Sequence, residues 1–91
     1  MVLLTNFGKG LQRVRKRRGL TQEDFSEVSS RTYLSSLERG LKAPTISKLE
    51  QLAVVLKLHP LSLMALGYSP TSREDVEKLC ERIRADFESL Y

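Results

Sequence analysis

The sequence predicts an all-α fold, a bundle of five short helices followed by one additional C-terminal helix. Apolar residues recur at intervals of three or four positions in successive segments, which is the pattern of one buried helical face. Glycine, proline or a pair of serines separates these segments, and none shows the alternation of a half-buried β-strand. A length of 91 residues suffices for one small domain with its own core.

The first helix is predicted over residues 6–18, because an apolar face repeats there at i, i+4 and i+7. Its inward side chains are Phe7, Leu11 and Val14. Gly8 and Gly10 are expected to weaken its first turns, since glycine costs backbone entropy in a helix. Gly19 follows a run of basic residues and is expected to end the helix.

Two short helices joined by a tight turn are predicted over residues 20–40. Thr21 and Ser30 have side chains that cap helix N-termini, and Gly40 is placed to end the second helix. That second helix, residues 31–39, carries these side chains outward or at its margins: Arg31, Thr32, Tyr33, Ser35 and Ser36. The solvent-exposed face of a helix ordinarily carries Glu and Lys, and this face carries neither, so it is a candidate binding surface.

The fourth and fifth helices are predicted on either side of His59, which is expected at the surface or in a loop. Thr45 is expected to cap the fourth helix. Its inward residues are Ile46, Leu49, Leu52, Ala53 and Leu56. Pro60 suits the first position of the fifth helix, because no backbone N–H is needed there. Met64 is expected in the core, and Gly67 is expected to close this helix.

The sixth helix is predicted to begin at a capping box from Thr71 to Glu74 and to reach the C-terminus. Its apolar positions step by three or four residues, close to a heptad seam. They are Val76, Leu79, Ile83, Phe87 and Leu90. Its charges form no uniform i,i+4 pairs, so the apolar stripe needs a surface to pack on. A homodimer interface is the expected use of the stripe, and packing on the protein's own core is the alternative.

Positive charge is concentrated in the first half of the chain. The net charge is +4, with +5 on residues 1–44 and −1 on residues 45–91. A basic half favours a polyanionic partner such as nucleic acid, and a merely solvated basic face is the alternative. No apolar run reaches the roughly 18 residues of a membrane span, and no signal peptide is evident, so we expect a cytoplasmic protein without membrane association.

The sequence offers no set of residues for catalysis or metal binding. Cys80 is the only cysteine and His59 the only histidine, so neither a disulfide framework nor a metal site is expected. No Ser-His-Asp or Cys-His set, carboxylate pair or glycine-rich phosphate loop is evident. We therefore expect no enzymatic activity, no cofactor and no small-molecule ligand.

Three short motifs occur in order: GLTQE at residues 19–23, LERG at 37–40 and Pro-Thr at 44–45. With the apolar positions around them, they make Leu11–Met64 resemble the helix-turn-helix domain of the Cro and phage-repressor (XRE) family. The resemblance implies a repressor-type DNA-binding bundle over residues 1–67. Residues 68–91 extend beyond that bundle and are predicted to be a dimerisation helix of the same compact domain.

In this family the second helix of the motif enters the major groove of B-DNA. The resemblance implies base contacts by Arg31, Thr32, Ser35 and Ser36. It implies contacts to the DNA backbone by Thr21, Gln22, Tyr33, Arg39 and Lys42. Arg31 is the strongest candidate for base reading, because a guanidinium pairs bidentately with guanine, and a phosphate contact is its alternative. For Tyr33 the alternative is packing of the ring against the first helix of the pair. An ion pair between Arg15 and Glu38 is implied as the link between the first and third helices.

The turn inside the motif departs from the family pattern. Between Gln22 and Ser30 the chain is two residues shorter than that pattern, and Ser29-Ser30 replaces a glycine turn. We expect the recognition helix to dock on DNA at a shifted angle as a result.

These patterns predict a stand-alone, prokaryotic-type transcription regulator that binds double-stranded DNA as a homodimer on a near-palindromic operator. Repression is expected rather than activation. The alternative is a protein-interaction module, such as an antitoxin or adaptor, that holds a partner protein through its C-terminal helix.

Overall fold

The structure, a computed structural model, describes residues 2–91. Within this range it contains five α-helices, two short 3-10 helices and no strand, so the predicted all-α class is confirmed. The α-helices are α1 (Val2–Arg17), α2 (Arg31–Glu38), α3 (Ile46–Leu56), α4 (Pro60–Ala65) and α5 (Arg73–Leu90). The 3-10 helices are Gln22–Phe25, before α2, and Leu66–Tyr68, after α4.

Helix α1 begins at Val2, earlier than the predicted start, and its glycines act differently from the expectation. A Cβ at Gly8 would lie 2.5 Å from the carbonyl oxygen of Leu37, and one at Gly10 would lie 2.8 Å from the Cβ of Leu66. A larger residue at either position would clash. The two glycines therefore allow α1 to pack closely against α2 and the second 3-10 helix.

The predicted second helix is wrong in type, because residues 22–25 form a 3-10 helix that is followed by irregular turns. The Asp24 carboxylate accepts a hydrogen bond from the N–H of Thr21 at 2.7 Å, which fixes the start of this segment. Phe25 is 1% exposed and anchors its end in the core. The eight residues between Thr21 and Ser30 therefore contain both this single 3-10 turn and the irregular turns that lead into α2.

The four helices α1, α2, α3 and α4 and the first 3-10 helix share one hydrophobic core. Its buried members are Phe7, Leu11, Phe25, Leu34, Leu37, Leu49, Leu52, Ala53, Leu56 and Leu63. Two residues predicted to be inward lie outside it, since Ile46 is 79% exposed and Met64 is 45% exposed. Ile46 is the first residue of α3, and the buried face of this helix starts at Leu49. The short helix α4 buries Leu63 in place of Met64.

Other helix boundaries follow the prediction in part. The hydroxyls of Ser30 and Thr45 cap α2 and α3, each accepting a backbone N–H at 3.1 Å. Gly40 follows the end of α2 with a φ of +74°, a conformation that favours glycine. Gly67 does not close α4, because it lies inside the second 3-10 helix. A Cβ at Gly67 would lie 2.6 Å from the Cδ1 of Leu3, so this glycine allows close packing.

The start of α5 is shifted by one residue from the predicted capping box. Ser72 caps the helix. The Asp75 carboxylate, rather than that of Glu74, accepts hydrogen bonds at this helix start, from the N–H and the hydroxyl of Thr71, each at 3.0 Å. These bonds lower the pKa of Asp75 below its ordinary value, because they favour the ionised carboxylate.

Helix α5 buries none of its residues. Much of its apolar stripe faces solvent, with exposed fractions from 48% at Val76 to 70% at Leu90. The stripe is therefore not packed into the core that α1, α2, α3 and α4 share.

No single helix among the described residues is long and apolar enough to cross a membrane. The pair formed by α3 and residues 60–68, bent by 104°, meets that test by length and composition only.

Candidate nucleic-acid interface

Helix α2 presents its N-terminal half in an open polar groove. Arg31 and Thr32 are exposed, and Ser35 is half-buried beside them. Gln22 and Arg39 complete the lining of the same groove. The structure thus brings together three of the residues predicted to contact bases and two of those predicted to contact the DNA backbone.

Ser36 lies apart from this groove, contrary to the expectation. It is 8% exposed, and its hydroxyl donates a hydrogen bond to the carbonyl oxygen of Thr32 at 3.0 Å. A serine inside a helix can satisfy its hydroxyl in this way on the preceding turn, which allows it to be buried. The Ser36 side chain is therefore too buried to contact a base.

A buried ion pair holds α2 against α1. Arg15 Nε lies 2.6 Å from Glu38 Oε2, and Arg15 Nη2 lies 3.0 Å from Oε1, which makes a bidentate pair. The two residues are 8% and 7% exposed. The hydrogen bond to Glu38, together with its negative charge, raises the pKa of Arg15 above its ordinary value, although burial acts in the opposite direction. The guanidinium therefore stays charged inside the protein.

Two neighbouring groups are tied to this pair. Gln22 Nε2 donates to Glu38 Oε1 at 3.2 Å, and Arg15 Nη1 donates to the carbonyl oxygen of Leu20 at 2.9 Å. One carboxylate thereby links α1, the first 3-10 helix and α2. The groove residues on α2 and on the 3-10 helix share this framework, which fixes their relative positions.

Tyr33 lies at the edge of α2 between two lysines. The Nζ atoms of Lys42 and Lys48 each lie 5.7 Å from the centre of its ring, within the range of cation–π attraction. The ring also packs against the hydrophobic core. Lys48 donates a hydrogen bond to the carbonyl oxygen of Val28. Sequence reasoning misses Lys48, because helical periodicity on α3 gives no sign of a contact with residue 28.

The other predicted backbone contacts are all on the surface. Thr21, Arg39 and Lys42 are exposed. Arg18, which follows the end of α1, donates a hydrogen bond from Nε to the carbonyl oxygen of Leu56 at 2.9 Å. Four other basic residues are exposed along α1: Lys9, Arg13, Lys16 and Arg17. Within residues 2–91, no three His, Cys, Asp or Glu residues are grouped to hold a metal ion.

A family comparison identifies the domain that carries this groove. Residues 11–63 match a protein-family model described as helix-turn-helix. The chain belongs to the Cro and phage-repressor (XRE) family of helix-turn-helix proteins. It is thus a DNA-binding protein of the transcription-regulator class.

Several known proteins are similar to the chain. An uncharacterised HTH-type transcriptional regulator of Sinorhizobium fredii is 42% identical over 59 residues, which cover 63% of this chain and 77% of that protein. The immunity repressor of Bacillus phage phi105 is 30% identical over 92 aligned positions, which cover 89% of this chain and 64% of the repressor. The crystal structure of the restriction-modification controller protein C.AhdI from Aeromonas hydrophila matches with a TM-score of 0.62 and 31% identity. That match covers 66% of this chain and 94% of C.AhdI.

Proposed function

We propose that the protein binds a near-palindromic operator in double-stranded DNA as a homodimer and represses transcription. The groove on α2 carries this proposal, because it presents Arg31, Thr32 and Ser35 together. An α-helix fits the major groove of B-DNA, where its side chains reach base edges. The Arg15–Glu38 pair holds this helix in one orientation, as recognition of a base sequence requires.

Base reading is assigned to the exposed N-terminal half of α2, with Arg31 as the principal reader. Contacts to DNA phosphates are assigned to the side chains around it, which include three donors and two hydroxyl groups. These residues are Thr21, Gln22, Tyr33, Arg39 and Lys42. Phosphate contacts place a protein on the duplex without reading its sequence, so the two groups of residues should respond differently to mutation.

Arg31→Ala should cost roughly 1–3 kcal/mol of discrimination at one base pair of each half-site. The measurement is competition binding to a panel of operators that differ by single base pairs. Arg73→Ala is the matched control, because Arg73 is exposed but lies on α5, away from the groove. If the Arg31 variant discriminates as well as the unmodified protein at every position, Arg31 does not read bases.

Arg39→Ala or Lys42→Ala should weaken binding to all sequences alike. Each change should also make the dependence on salt less steep. The plot of log affinity against log salt concentration has a negative slope, and its magnitude should fall by about one, because one phosphate contact is lost. Titrations of operator DNA and unrelated DNA at several salt concentrations measure both effects. A loss confined to operator DNA would contradict the phosphate assignment.

Helix α5 is proposed to be the dimerisation element. Its exposed stripe is continuous with a second apolar surface that the sequence does not reveal. Leu61, Met64 and Tyr68 line a groove together with Leu79 and Ile83 of α5. A second copy that packs on these surfaces would remove them from water. Two-fold symmetry would then set two α2 helices on half-sites roughly 34 Å apart.

Ile83→Glu should convert the dimer to a monomer at a fixed concentration, because it places a charge in an apolar contact. Analytical ultracentrifugation measures the change. Arg84→Glu is the control, since this neighbouring residue is also exposed and lies outside the stripe. A dimer that survives Ile83→Glu would exclude this part of α5 from the interface. Recovery of a second polypeptide on the stripe would favour the alternative, an interaction module of the antitoxin or adaptor kind.

Repression, rather than activation, is supported by the similarity to a phage immunity repressor. The proposed location is the cytoplasm, where the protein would associate with the nucleoid through DNA. A reporter gene whose promoter overlaps the operator should lose expression when the protein is produced. Increased expression from that promoter would contradict the assignment as a repressor.

A further inference from the structure

The turn that leads into α2 is held by a side chain from another helix. Lys48 of α3 donates a hydrogen bond from its ammonium group to the carbonyl oxygen of Val28. The same ammonium lies 5.7 Å from the ring centre of Tyr33, in the first turn of α2. One cation therefore contacts the turn and the recognition helix at the same time, from a third segment of the chain.

Lys48 is itself fixed in position by α3. Its backbone N–H donates to the capping hydroxyl of Thr45 at 3.1 Å, and the next residue, Leu49, is buried in the core. The turn has local bonds of its own, such as that from the Ser29 hydroxyl to the carbonyl oxygen of Ser30 at 2.9 Å. A local bond shapes the turn but does not orient it relative to the core, whereas the bond from Lys48 does.

We propose that Lys48 is a positioning residue that sets the angle of α2 and thereby the base pairs that the helix reads. The inference rests on the proposed function of α2 in reading DNA. Arg31 and Thr32 follow the turn directly, so a small rotation of the turn displaces both. A recognition site needs its groups held within about 0.5 Å and 10–20°. In this shortened turn, Lys48 supplies that restraint from α3 and does not itself contact DNA.

The first test uses the DNA-free protein. Lys48→Met keeps the apolar stem but removes the ammonium, and it should increase amide hydrogen exchange at Ser29 and Tyr33 by about tenfold. These two amides are hydrogen-bonded inside the turn and at the cap of α2. Lys42→Met is the matched control, because Lys42 is equally close to the Tyr33 ring but follows α2 in the chain. Unchanged exchange in the Lys48 variant would overturn the proposal.

The second test compares operator DNA with unrelated DNA. Lys48→Met should lower the ratio of the two affinities by about 10- to 100-fold, as expected for misplaced recognition groups. Its affinity for unrelated DNA, and the salt dependence of that binding, should stay as in the unmodified protein. A parallel loss on both DNAs with a lower salt slope would identify Lys48 as a phosphate contact and overturn the proposal. An unchanged ratio would overturn it as well.

Failure of the proposed function would look different. If the unmodified protein shows no preference among DNA sequences, DNA reading by α2 is refuted. The exchange measurement still decides whether Lys48 holds the turn, because it requires no DNA.

Discussion

Arginine and glutamate meet in two regions of the molecule with different consequences. Between α1 and α2, Arg15 and Glu38 approach to 2.6 Å, and their side chains are 9% and 2% exposed. On α5, Arg73 and Glu77 lie 3.6 Å apart, with side chains 93% and 68% exposed. The buried pair fixes one helix against another, whereas the exposed pair remains hydrated and holds nothing in place.

This contrast separates the part of the protein that maintains a geometry from the part that offers a surface. The bundle from α1 to α4 holds α2 through buried leucines, the close approach of α1 at Gly8 and the Arg15–Glu38 ion pair. Helix α5 has caps and exposed charges, but none of its residues is buried. Substitutions of buried or closely packed residues in the bundle should therefore lower the stability of the isolated chain strongly, whereas substitutions of exposed residues on α5 should change it little.

The largest expected effect comes from breaking the buried pair. Glu38→Gln leaves the Arg15 guanidinium buried without its counter-charge, and should lower the free energy of unfolding by about 3–5 kcal/mol. Glu77→Gln removes the same charge from the exposed pair, and should change it by less than about 1 kcal/mol. Urea unfolding followed by circular dichroism measures both. Equal losses in the two variants would refute the distinction between the two pairs.

A smaller effect is expected where α1 packs closely against α2. Gly8→Ala places a methyl group within 2.5–2.6 Å of two backbone carbonyl oxygens of α2, so a helix must shift. The expected loss is about 1–3 kcal/mol. Lys9→Ala, at the neighbouring exposed position, should change stability by less than about 0.5 kcal/mol. A Gly8→Ala protein as stable as the unmodified one would show that the helices need not pack so closely.

The smallest effect concerns the start of α5. The hydrogen bonds from Thr71 lower the pKa of Asp75, so the ionised carboxylate stabilises this helix start above the ordinary pKa of an aspartate. That contribution is lost as the pH falls through the lowered pKa. Asp75→Asn should therefore reduce helix content near neutral pH, and the difference should shrink in acid. Circular dichroism between pH 7 and pH 2 measures it, and a difference that grows in acid would contradict the assignment.

Much of the bundle can be predicted from the sequence, because its signals are local. The inward leucines follow helical periodicity, and short polar side chains before them mark the caps at Ser30 and Thr45. The order of the three short motifs identifies the family to which the chain belongs. The ion pair between Arg15 and Glu38 can be predicted from the resemblance to that family. Helical periodicity alone gives no reason to pair these two residues.

Other features depend on contacts between distant segments, which periodicity does not encode. Residues 22–25 form a 3-10 helix in place of the predicted α-helix. Ser36 is polar yet buried, because its own helix satisfies its hydroxyl. In the sequence, nothing distinguishes Lys48 from an ordinary surface lysine. Its contact with Val28 is visible only in the folded structure. The groove beside α5 likewise requires the packing of α4, which exposes Leu61 and Met64.

Selection of bound DNA from a random pool tests the central claim most directly, using the full chain. The account predicts one enriched sequence made of two inverted half-sites, with centres about 10 base pairs apart. Such a result would show that the protein reads a base sequence and that two copies bind together. A single unpaired half-site would contradict the dimer, and a pool without any enriched sequence would contradict DNA reading by α2.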